Sequence, residues 1–109
     1  MMFNYTLIAD LVKEAEIPVN GIISRAIYQD EKVKAVIFGF DTGQELSEHT
    51  AAVPAVLTII KGEAELTLGN DTMDVAAGAW VHMPGHLPHS VRAKTPVVML
   101  LLLLRGTGT

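Results

Sequence analysis

The stretch Gly78 to Ala93, GAWVHMPGHLPHSVRA, contains two short apolar runs, Ala79 to Met83 and Ser90 to Ala93, on either side of a Pro84-Gly85 break. Each run is too short for a stable helix, and proline with glycine between them marks a turn, so both read as β-strands. Three of the chain's four histidines, His82, His86 and His89, fall within these residues. They are the only groups here that change charge near neutral pH without perturbation.

The same punctuation extends in both directions. Glu63 to Leu68 alternates polar and apolar side chains, and Gly69-Asn70-Asp71 turns it into Thr72 to Val75, a hairpin. Val53 to Ile60 precedes it, with Pro54 placed at the strand's beginning because proline cannot donate to a central ladder. Ile22 to Ile27 and Val33 to Phe40 flank the polar turn Gln29 to Lys32, and Val97 to Arg105 closes the series. About eight short strands at this spacing indicate a sandwich or barrel. Only Leu7, Ile8, Leu11, Val12 and Ala15 recur at helical intervals, until Pro18 stops them, so a short N-terminal helix or turn is expected.

Composition limits the function. With 109 residues, half of them hydrophobic and 18% charged, the chain reads as a single domain, residues 1–109, with one real core and no long disordered part. The tail 106–109, Gly-Thr-Gly-Thr, is expected to be flexible. The longest charge-free apolar run, Val97 to Leu104, is far shorter than the roughly 20 residues of a membrane span, so no membrane association is expected. No secretory leader is visible, which makes the cytoplasm the default. A net charge of −4 without a basic cluster argues against nucleic acid. Because the chain has no cysteine, any chemistry falls to histidine, carboxylates, hydroxyls or a borrowed cofactor.

His49 stands apart from the other three histidines. A pair such as His49 and His89, far apart in sequence and each at the start of a strand, is what a metal site inside a β-barrel needs. Glu48 alternates to the opposite face from His49, and Glu45 belongs to the preceding loop. His82 shares a strand face with Trp80 and is expected to point outward.

The order of these residues resembles the cupins, all-β jelly-roll barrels built as a double-stranded β-helix. Their first motif is a glycine, five residues, His-x-His, a glutamate after three or four residues, and a glycine six residues later. In this chain Gly43 and His49 fit, Ala51 and Ala55 occupy the second histidine and the glutamate, and Gly62 closes the frame. The second motif places Gly78, Pro84 and His89 without a gap, with His86 at its second glycine and Ala93 at its asparagine.

The resemblance implies a single cupin domain with core motifs over residues 43–93. It also implies a small-molecule ligand held by His49, His89 and His86, and a divalent transition metal (Fe, Mn, Zn or Ni) on His49 and His89, with His86 the candidate third ligand. No nucleotide cofactor is expected. Loss of two family ligands leaves two functions open: a metal-dependent enzyme of oxygenase or isomerase type, or a non-catalytic module that binds or senses a small ligand. The resemblance further implies a homodimer. A positive mean hydropathy of +0.35 supports this, as does an aliphatic run apolar on both faces, since surplus apolar surface must be covered.

Overall fold

The computed structural model describes residues 2–106, so most of the expected flexible tail, residues 107–109, lies outside the described residues. Nine strands follow one helical turn, α1 (Leu11–Glu14): β1 (Ile22–Gln29), β2 (Val33–Phe40), β3 (Glu45–His49), β4 (Ala55–Lys61), β5 (Glu63–Leu68), β6 (Asp71–Ala76), β7 (Trp80–Met83), β8 (His89–Ala93) and β9 (Val97–Leu104). They form a five-stranded sheet ordered β1-β2-β9-β4-β7 and a four-stranded sheet ordered β3-β8-β5-β6, with every pairing antiparallel. This is the expected all-β double-stranded β-helix barrel. No helix among the described residues is long and apolar enough to cross a membrane.

The core lies between the sheets and follows the period of two. Phe40, Leu57, Ile59, Leu66, Val91 and Met99 form one buried cluster, each from the inward row of its strand. Gly62 permits the tight β4–β5 corner. Its φ of +91° is one that side-chain-bearing residues rarely adopt, and a Cβ there would collide with the Pro96 carbonyl. The expected turn at Gln29 to Lys32 is closed by Asp30, whose carboxylate accepts from the Lys32 and Val33 amides and the Tyr28 hydroxyl. Those bonds hold the Asp30 carboxyl below the usual carboxylate range and push the Tyr28 phenol up.

Two expectations change. Glu45, read as part of the loop before His49, instead belongs to edge strand β3, where it is exposed opposite Arg92. The expected short N-terminal helix or turn is present as the single turn Leu11–Glu14, capped by Asp10. A segment that short gains little from helix propagation, and Ile8 and Leu11 line a groove together with Ala35 and Leu100 on the outer side of the five-stranded sheet.

That placement also alters the reading of Val97 to Leu104. Val97, Met99 and Leu101 face the barrel core, and Leu103 packs against it. On the other face, Val98 is fully buried and Leu100 is half-buried beside a groove shared with the chain's own N-terminal segment, which passes so close over Gly39 that a Cβ there would strike Glu16. Part of the second apolar surface assigned to a partner is thus covered from within the same chain.

Candidate functional site

The register of the four-stranded sheet creates the site. His49 on β3 is the direct partner of His89 on β8, and His89 in turn pairs with Leu68 on β5. His89 lies on the inward row with Val91 and Ala93, and only 5% of its surface is exposed. A register shift between Leu46 and His49 marks a bulge in β3, of the kind that re-aims side chains at sheet edges. The partly buried His49 ring thereby meets the His89 ring edge to face, with centroids 4.1 Å apart and planes inclined by 61°.

Both rings are held in the same way. Nδ1 of His49 lies 2.9 Å from the Ser47 carbonyl, and Nδ1 of His89 lies 2.9 Å from the Leu87 carbonyl. A carbonyl oxygen can only accept, so each Nδ1 carries a proton, and in the neutral form of either ring Nε2 then holds the lone pair. Two neutral imidazoles side by side can accept hydrogen bonds from a ligand or donate lone pairs to a metal. Backbone support of the second nitrogen is also the usual arrangement behind metal-bound histidine.

The remaining sequence candidates lie elsewhere. His86 is exposed in the loop between β7 and β8, with its amide bonded to the Ala51 carbonyl, 2.7 Å, and a left-handed φ of +67°. It occupies the position at which the second motif carries glycine, and this backbone conformation accounts for that preference. His82 is exposed on β7, and Trp80 beside it is 64% exposed. Glu48 is exposed, and Arg92 reaches Glu65 at 3.5 Å on the outer surface. Among the described residues, no three His, Cys, Asp or Glu side chains come together in a way that could hold a metal ion.

Sequence reasoning did not anticipate an apolar cavity of about 180 Å³ between the β5–β6 hairpin and the β4–β7 pair. Its wall includes Leu68, the register partner of His89, but none of the histidines. The alternation of Leu66 and Leu68 with polar neighbours marks them as inward-facing, yet nothing in that pattern reveals that the space before them is unfilled.

Comparison with known proteins bears on the family and the fold. The family profile for the Cupin domain matches residues 36–103. A conserved protein of unknown function from Streptococcus pyogenes is 30% identical and superposes with a TM-score of 0.83, over 97% of this chain and 93% of its own. A cupin superfamily protein from Desulfitobacterium hafniense is 27% identical, with a TM-score of 0.74 over 78% of each chain. A conserved protein with a double-stranded β-helix domain from Klebsiella pneumoniae shares the fold at 18% identity, with a TM-score of 0.83 over 96% of this chain and 95% of its own. No curated protein sequence matches the chain.

Proposed function

The chain belongs to the cupin family, and from that premise we propose that its barrel binds a small molecule at the His49–His89 end, with the two Nε2 atoms as its polar contacts. The observation carrying this reading is the matched pair of Nδ1 bonds to Ser47 and Leu87, which fixes both rings and leaves both lone pairs for a ligand.

The donor set fits part of a divalent transition-metal shell. His49 and His89 would each supply one nitrogen, while Ala51 and Ala55 stand where the family pattern has further ligands. Iron, manganese, zinc or nickel held there would act as a Lewis acid with open positions. Zinc sites that do chemistry ordinarily have three protein ligands, so the two-histidine site is weak unless His86 swings inward. The test is elemental analysis of tag-free protein before and after incubation with each of the four metals. About one metal per chain is expected for a single site, with binding at least tenfold weaker in His49→Ala and His89→Ala. Failure of all four metals to bind would remove the metal from the account.

A second reading is a non-catalytic module that binds or senses a small ligand through the imidazoles alone. The alanines at positions 51 and 55 favour it. Binding that persists in chelator supports this reading, and strict metal dependence contradicts it.

Pairing with a second copy is part of the proposal. Phe3, Tyr5 and Leu7 are 86%, 86% and 75% exposed at alternating positions, and Leu102 and Leu104 stay partly uncovered on the outer face of β9. Light scattering at increasing concentration should give twice the chain mass, and Leu102→Lys with Leu104→Lys should give a folded monomer. A wild-type monomer at high concentration would end this part of the proposal.

A further inference from the structure

The cavity beside β7 has no role in the histidine reading, and its construction suggests one of its own. β6 and β7 are the outermost strands of their sheets and do not pair with each other, so the barrel is open along that side. Between them lies the 180 Å³ space, lined by Leu57, Leu68, Met73, Val75, Ala79, Trp80 and a few aliphatic neighbours, without a single charged or hydroxyl-bearing side chain. Interiors are normally packed with few voids larger than a water molecule. The space opens to solvent beside the exposed Trp80, and a sealed engineered cavity of comparable size, roughly 150 Å³ lined by Leu, Ile and Phe, takes up benzene or xenon.

We propose that this cavity is a second binding site, for a small uncharged apolar molecule about the size of one aromatic ring. Size is set by the volume and charge by the walls, because an ionised group would lose its hydration there with nothing to replace it. Polarizable Met73 adapts to the shape of a guest, and Trp80, 64% exposed, lines the same space. The site does not depend on the histidine pair, although Leu68 belongs to its wall and also neighbours His89 in the sheet.

Benzene and benzoate titrated into protein labelled with methyl-¹³C methionine provide the test. Trp80, the only tryptophan in the chain, gives an independent fluorescence signal. Benzene is expected to shift the Met73 methyl saturably and change the Trp80 emission, leaving the core Met99 less affected, while benzoate does neither at equal concentration. Val75→Phe, which fills the space, should weaken benzene binding at least tenfold. Ala79→Leu makes the same comparison should the first variant not fold. His89→Ala should bind benzene within twofold of wild type, which separates this site from the histidine one. The proposal is overturned by an unsaturable or absent Met73 shift, by equal binding of benzoate, by folded filling variants that bind like wild type, or by loss of binding in His89→Ala.

Discussion

His49 and His89 are distant in sequence and their rings touch, whereas His82, His86 and His89 fall within eight residues and only His89 faces the interior. In a helix, neighbours in sequence share a face at regular intervals. In an antiparallel barrel, the register decides which residues meet, and successive residues of a strand are sent to opposite sides. The histidine-rich segment looks like a cluster on the page, yet the candidate site is assembled across two strands from one member of that segment and one outsider.

The comparison is broken most severely by loosening the register itself. Leu66 pairs with Val91 in the row beside the histidines and is 2% exposed. Leu66→Ala should cost about 2–5 kcal/mol of stability in urea denaturation, because a buried leucine leaves a cavity. An effect below 1 kcal/mol would mean that this row does not hold the sheet.

Next in size is the contrast between the histidines. His89→Ala removes the donor to the Leu87 carbonyl in a buried setting and should cost about 1–3 kcal/mol. His82→Ala, on the exposed face, should stay within about 0.5 kcal/mol. Equal losses in the two variants would contradict the assignment of inner and outer rows.

His86 gives a smaller effect of opposite sign. Its left-handed backbone costs a side-chain-bearing residue about 1–2 kcal/mol, and glycine returns some of that gain as unfolded-state entropy, so His86→Gly should raise stability by up to about 1 kcal/mol. A loss of stability would show that the imidazole makes a compensating contact.

The weakest effect lies outside the histidines. Backbone amides of Asn20 and Thr42 hold the Asp41 carboxyl below its ordinary range, as the Tyr28 hydroxyl and the β1–β2 turn amides do for Asp30. A carboxyl with a lowered folded-state pKa contributes stability that is present above the unfolded value and lost as pH falls through the folded one. Acid unfolding followed by circular dichroism should therefore set in below the ordinary carboxylate range and become shallower in Asp30→Asn and Asp41→Asn. An unchanged acid limb in both variants would remove these turns from the pH response.

Most of the barrel was legible because its strands carry Val, Ile, Leu and Thr between clear turn residues. The motif glycines were legible too, and Gly43, Gly62 and Gly78 all adopt positive φ. Strand β3 was missed for a physical reason: in Glu45-Leu46-Ser47-Glu48-His49 only Leu46 is apolar, and an edge strand with a bulge needs no alternating pattern to stay paired. The short N-terminal helix or turn was legible in the apolar spacing and forms as the single turn Leu11–Glu14. His49 and His89 were identifiable as candidates, but their contact depends on register, and the ring tautomers depend on carbonyls that no spacing rule locates.

The most direct measurement is long-range ¹H–¹⁵N NMR of the imidazoles, before and after one equivalent of zinc is added at neutral pH. The account predicts that His49 and His89 both carry the proton on Nδ1 in the free protein and that their two Nε2 resonances shift together on addition, while those of His82 and His86 stay in place. Protonated Nε2 in either paired ring, or a response confined to His82 and His86, would contradict it.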